Sequence, residues 1–273
     1  MLTSVRAWLG STHPGPAVAV TVMTVVLGIG VGLSPDRVAI LGLAMLAGQF
    51  SVGLSNDWLD AERDRASGRR DKPAATGAIS VAVVRASAWI TAALALALTV
   101  PLGWPALIAH TVFILSAWHY NAWLKKTAFS VLPYVISFGA LPSLVTLALP
   151  DPGLAAWWAT ATGALLGVAA HFANVLPDLE ADRATGVRGL PHRVGARVSA
   201  VVIAVALVAA SVVLFVGAVS VPALLLALGV ALALACAVVA IRGSATRLLF
   251  RLIIACALFD VAVLAVSGTG VLA

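Results

Sequence analysis

Apolar residues fill this chain in long runs, each closed by a short polar break. The runs lie near 15–33, 38–55, 79–100, 105–121, 128–149, 154–174, 198–217, 221–241 and 248–268. Each comes close to the roughly 20 residues a helix needs to cross a bilayer. Turn-forming clusters punctuate them, at Ser34-Pro35-Asp36, Gly103-Trp104-Pro105 and Pro150-Asp151-Pro152-Gly153. Backbone polar groups cannot stay unpaired in hydrocarbon, so such runs are helical. The expected fold class is therefore all-α: a polytopic membrane helical bundle with nine transmembrane helices, in one domain over residues 1–273.

Composition agrees with that pattern. Of 273 residues, 62% are hydrophobic and 10% charged, with a mean hydropathy of +1.06, whereas soluble domains carry about 25% charged residues. Cys236 and Cys256 both fall in late apolar runs, which reads as core packing rather than a disulfide framework or a thiolate metal site.

The net charge of +6 says less than where the charges sit. Arg6, the Arg63–Arg85 stretch, Lys125, Lys126, Arg183–Arg197 and Arg242–Arg251 fall on one side of the nine runs. That side holds 16 of the 17 basic residues, and Arg37 alone lies opposite. By the positive-inside rule the N-terminus and the loops after the second, fourth, sixth and eighth spans are cytoplasmic. The membrane is the plasma membrane if the source is bacterial. Nucleic acid is not an expected partner. The apolar stretch after Arg6 leads into Gly32-Leu33-Ser34-Pro35-Asp36 instead of a small-residue cleavage site, so it reads as a retained helix.

Two cytoplasmic loops concentrate the acids. Asp57, Asp60, Glu62, Asp64 and Asp71 lie in the first, Asp178, Glu180 and Asp182 in the second: eight of the eleven acidic residues. The loops are copies. Residues 56–73 and 174–191 align without a gap at an offset of 118, with nine identities in eighteen positions. Four spans separate them, so the repeats share one orientation. The bundle is expected as two four-helix parallel repeats plus one helix around a central cavity, with both loops at its mouth.

Asn56, Asp60 and Asp64 are spaced by four, as are Asn174, Asp178 and Asp182. On a helix that spacing stacks them on one face, where like charges repel unless a cation sits among them. Mg²⁺ suits: it takes oxygen ligands and is commonly held by one or two carboxylates plus substrate phosphates. Neither loop has the ligand order of an EF-hand, and no His or Cys cluster suggests zinc. The candidate metal set is Asn56, Asp57, Asp60, Asp64, Asn174, Asp178 and Asp182. Arg69, Arg70, Lys72, Lys125, Lys126 and Arg188 are candidates for a diphosphate. His171, one turn before Asn174, is a candidate pocket residue, as is Tyr120. His13, His110 and His119 stand near helix ends and read as interfacial or capping residues. Asp260 is an intramembrane carboxylate without a partner legible in sequence.

The paired Asn56-Asp57-x-x-Asp60-x-x-x-Asp64 and Asp178-x-x-x-Asp182 motifs resemble the two aspartate-rich motifs of the UbiA superfamily of intramembrane prenyltransferases, over essentially the whole chain. The resemblance implies Mg²⁺-dependent ionisation of a prenyl diphosphate and capture of the allylic carbocation by a lipophilic or aromatic acceptor. By position, Asp60, Asp64, Asp178 and Asp182 would be catalytic through the metal. Two features depart from the family. Tyr120 precedes Lys125 and Lys126 by five and six residues, not four, and His13-Pro14 stands where many members have Arg-Pro. The inference to an acidic aromatic acceptor is therefore not carried over. A membrane terpene cyclase would share the same metal motifs. A transporter fits less well, because the acids cluster in loops instead of at mid-membrane.

Overall fold

The computed structural model describes residues 2–179, 182, 186–218, 221–242 and 247–273. Glu180 and Arg183 lie outside the described residues. The chain is helical: α1 (Leu2–Ser11), α2 (Pro14–Gly30), α3 (Pro35–Ala66), α4 (Pro73–Thr76), α5 (Val81–Thr99), α6 (Trp104–Ala122), α7 (Leu132–Thr146), α8 (Trp157–Val175), α9 (Leu190–Gly217), α10 (Ala223–Ile241) and α11 (Arg247–Val266). Among the described residues no strand forms, and β pairing is confined to an isolated bridge between Ala155 and Leu272.

Among the described residues, four stretches are long and apolar enough to cross a membrane: Pro35–Ala66, Val81–Leu102, Trp157–Asp178 and Leu190–Gly217. α1 and α2, bent by 59°, make a fifth if counted as one span. Outward faces carry bare Trp89 and Ile90 on α5, Val205 on α9, and Trp104 and Leu224 on α6 and α10, the pattern of helices solvated by lipid.

Local chemistry sets several boundaries. Pro35 and Pro105 open α3 and α6 in the first turn, where a missing N–H costs nothing. The Ser80 hydroxyl caps α5 by accepting from Val83 N at 3.2 Å. Gly195, at φ 81° and ψ 170°, breaks α9, so its apolar part runs at an angle to the turn that begins at Leu190.

Position in the bundle follows from side-chain size. α3 packs against α2, α5 and α6, and α8 packs against α7, α9 and α11. Gly163 and Gly167 bring α8 very close to α7: a Cβ on the first would strike the Phe138 carbonyl, and on the second the Tyr134 carbonyl. Small residues four apart let membrane helices approach backbone to backbone. Because α7 and α8 are this close, Tyr134 and Phe138 sit beside His171, next to the polar mouth.

The largest departure from expectation is the length of α3. The apolar pattern ends the second span near 55, yet the helix continues to Ala66 and carries the acidic motif on its last turns. Helix geometry survives there with Asp57, Asp60 and Asp64 each beside a cation and Glu62 exposed.

Candidate functional site

A cavity of about 430 Å³ opens between the two halves of the bundle. Asn56, Asp60 and Asp64 from α3 line it together with Asn174, Asp178 and Asp182 from the end of α8 and beyond. Residues 118 apart in sequence thus face one space. Arg69, Lys72, Lys125, Tyr120 and His171 line it too.

The first motif is tightly paired. Asp60 and Lys125 are 5% and 6% exposed, and Lys125 Nζ donates to both Asp60 carboxylate oxygens at 2.6 and 2.7 Å. Arg63 donates to Asp60 at 2.9 Å and to Asp64 at 3.2 Å. Asn121 joins by accepting from Asn56 Nδ2 at 3.3 Å while donating to Ser55 Oγ at 2.8 Å. Burial draws the Lys125 ammonium below its ordinary range, against the pull of Asp60.

The second motif is built differently. α8 ends at Val175, and Leu176–Asp178 forms a 3₁₀ turn holding Pro177. Asp178 is about half exposed and reaches across to Arg69 at 3.7 Å. Asp182 meets His192 Nε2 at 3.3 Å, and burial holds its carboxyl above the usual range. Arg69 also donates to both oxygens of Asp71 at 2.9 and 2.8 Å, which pushes the Asp71 carboxyl down to about 2.

The remaining sequence candidates divide. Asp57 turns away from the cavity: 2% exposed, it accepts from Lys72 Nζ at 2.7 Å and stands 2.9 Å from His13 Nε2. Arg70, Lys126 and Arg188 are exposed and do not line the cavity. His171 is fully buried on the cavity wall, within 3.0 Å of Ser130 Oγ. Asp260 is buried against Ser211 Oγ at 3.4 Å, away from the cavity lining.

Sequence reasoning passed over four wall residues. His13, read as interfacial, is a lining residue in the left-handed conformation, φ 52°, at the bend between α1 and α2. A non-glycine residue held there marks an over-determined position. Arg63 could have been found from its i, i+3 spacing to Asp60. His192 and Tyr134 lie outside both motifs, and no spacing pointed to them. His119, near the end of α6, bonds the Leu115 carbonyl at 2.6 Å, whereas His110 is not interfacial or capping: it lies fully buried inside α6, 2.8 Å from Thr99 Oγ1 on α5.

The profile of the UbiA prenyltransferase family matches residues 17–266. The chain belongs to that family. This UbiA-family chain also shares its fold with solved structures. A UbiA homologue from Aeropyrum pernix K1 superposes at TM-score 0.77 and 16% identity, covering 91% of this chain and 96% of that one. A homologue from Archaeoglobus fulgidus bound to GPP and Mg²⁺ gives 0.74 and 14%, covering 96% and 99%. A digeranylgeranylglyceryl phosphate synthase gives 0.71 and 15%, covering 96% and 99%. No curated protein sequence matches the chain. It is an integral membrane protein of a prenyltransferase family.

Proposed function

We propose that this chain transfers an isoprenyl group from a prenyl diphosphate to a lipophilic or aromatic acceptor within the membrane. The observation that carries the reading is the convergence of two acidic motifs, 118 residues apart, on one cavity whose inner wall is apolar. The archaeal homologue with GPP and Mg²⁺ supports the same reading for the diphosphate end.

The donor set fits Mg²⁺. Every candidate ligand offers oxygen, the atom that a hard cation prefers. Among the described residues no three acid, His or Cys groups cage an ion by themselves, which suits a cation shared with substrate phosphate. Asn56, Asp60, Asp64, Asn174, Asp178 and Asp182 would hold it, and bound Mg²⁺ would supply charge neutralisation of the leaving diphosphate. Asp57 serves these residues from behind by fixing Lys72 and His13. Lys125, Arg63, Arg69 and Lys72 orient the phosphate oxygens from the cavity wall. The Arg69–Asp178 contact ties the first loop to the second. Apolar residues from α2, α7, α8 and α11, among them Met23, Phe138, Leu166 and Ile253, exclude water from the reacting carbon.

In the same reading the chain is a single domain of nine spans in two parallel repeats plus one helix, with both motifs on the cytoplasmic face. The test is Mg²⁺-dependent diphosphate release from prenyl diphosphates in purified protein with and without acceptors. Release is expected to stop on chelation and return with Mg²⁺. Asp60→Ala and Asp178→Ala are each expected to lower it by at least about 100-fold, the scale of a lost transition-state charge partner. Wild-type rates in both variants would overturn the assignment. A cyclic hydrocarbon formed without acceptor would replace transfer by cyclisation.

A further inference from the structure

The turn between α6 and α7 touches both acidic motifs. Leu124–Lys126 is a 3₁₀ turn, and Thr127 N and Ser130 N continue it by donating to the Leu124 and Thr127 carbonyls at 2.9 and 3.2 Å. Ser116 Oγ on α6 donates to the Pro133 carbonyl at the start of α7 at 3.0 Å, so the turn is stapled at its base. From one end of the turn, Lys125 Nζ donates to both carboxylate oxygens of Asp60 in the first motif. From the other end, fully buried Ser130 holds the second motif. Its Oγ accepts from Leu190 N at 2.8 Å and lies 3.0 Å from His171 Nε2. His171 stands three residues before Asn174 and Leu190 eight after Asp182, so one hydroxyl grips the chain on both sides of that motif. Gly189 packs on the same turn: a Cβ there would lie 2.6 Å from the Lys125 carbonyl oxygen and 2.9 Å from Ser130 Oγ. Asp182 is tied to this region as well, since its carbonyl accepts from Val187 N at 3.0 Å.

We infer that the Lys125–Ser130 turn is a strut that sets the spacing between the two acidic motifs, with Ser130 and Gly189 as its positioning residues. The inference rests on the prenyl-transfer reading. In that reading one diphosphate is held by ligands from both motifs, so their separation decides whether both sets engage it together. Across the mouth the motifs also meet through Arg69 and half-exposed Asp178 at 3.7 Å. An ion pair so exposed holds little, because water and salt screen it. The strut is of a different kind. Parting Leu190 N from Ser130 Oγ leaves a polar group without its partner inside the protein, at the full cost of its desolvation. Gly189 adds a steric requirement, because only a residue without Cβ lets the chain after the second motif lie against the Lys125 carbonyl. Neither Ser130 nor Gly189 belongs to the candidate ligand set. They act through Lys125, His171 and Leu190.

The test reads the spacing directly. Spin labels on Glu62→Cys and Arg188→Cys, both at exposed positions, in a Cys236→Ala, Cys256→Ala background, report the distance by double electron–electron resonance. The intact strut is expected to give one narrow distribution, Ser130→Ala a broader one and Gly189→Ala a longer one. In the unlabelled single variants kcat is expected to fall about tenfold for Ser130→Ala and on the order of 100-fold for Gly189→Ala, the scale of a misplacement of about 1 Å. KM for the prenyl diphosphate is expected to stay within about threefold, as for an interaction realised in the transition state. Ser211→Ala is the control: it removes a similarly buried hydroxyl, 3.4 Å from Asp260, and is expected to leave distance and kcat unchanged whatever its melting temperature. Gly189→Ala keeps the Ser130 hydroxyl and supplies an independent reading should Ser130→Ala fail to fold. A native distribution with wild-type kcat in the strut variants, or equal losses in Ser211→Ala, would overturn the inference and leave prenyl transfer standing. The distance is read without turnover, so absence of Mg²⁺-dependent diphosphate release from the wild type would overturn the transfer reading on its own.

Discussion

The two acidic motifs share nine of eighteen residues, yet they are different objects in the folded chain. The first rides the last turns of α3 and is buried in a network of Arg63, Lys125 and Asn121. The second straddles the end of α8, where Pro177 interrupts the helix and leaves Asp178 half exposed. The difference comes from the residues that do not repeat. Position 63 is arginine and its counterpart Ala181 brings no charge, while position 59 is leucine and its counterpart is Pro177. Identical ligands at identical spacing thus make one rigid arm and one open arm. A site that must admit a diphosphate and then release it gains from such asymmetry, since exposed contacts break at lower cost than buried ones.

Asp60→Ala gives the largest expected effect, because it removes a cavity carboxylate and strands a buried ammonium. Besides the activity loss, it should cost about 3–5 kcal/mol of stability, read as a lowered melting temperature in detergent. Adding Lys125→Met should restore most of the melting temperature and none of the activity. Asp178→Ala should abolish diphosphate release as fully while shifting stability by no more than about 0.5 kcal/mol, the range for a surface pair. Equal melting shifts in the two variants would erase the distinction between the arms.

Pro177→Ala probes the break itself. Proline is about 3 kcal/mol worse than alanine inside a helix, so the variant should let α8 continue and leave stability unchanged or raised. Turnover should fall about tenfold as the reach of Asp178 to Arg69 is lost, measured as diphosphate release beside a thermal melt. Unchanged turnover would show that the open arm does not need its break. The smallest effect belongs to Asp71→Asn, which removes an exposed pair: less than about twofold in rate and 0.5 kcal/mol in stability. Because Arg69 holds the Asp71 carboxyl down to about 2, the pair should persist through ordinary carboxylate titration and be lost only as pH falls toward that value. A carboxyl-carbon NMR titration of Asp71 checks this.

Much of the candidate site was legible because ligands repeat at a spacing that a helix converts into one face. Asp60, Asp64, Asp178 and Asp182 were found that way, and all line the cavity. Asp57 was not separable from them in sequence, since only the positions of Lys72 and His13 reveal that it turns away. Arg70, Lys126 and Arg188 had the right charge in the right loops, but exposed side chains beside the cavity look the same in sequence as lining ones. Tyr134 left no trace in the motifs, since it joins the wall from α7, whose backbone meets α8 at glycines 29 and 33 residues further on.

What the amino-acid order determined by itself is local or additive. Run length and burial of the peptide groups dictate helices, and the repeated Asn-Asp-Asp spacing dictates two acidic faces. Those properties need only the 3.6-residue turn and the cost of unpaired polar groups in lipid. What only the tertiary structure decided is which cation meets which acid and which rings wall the cavity. Those depend on which elements come together: Lys125, beyond α6, meets Asp60 on α3, and Gly163 and Gly167 let α8 approach the α7 backbone at Phe138 and Tyr134.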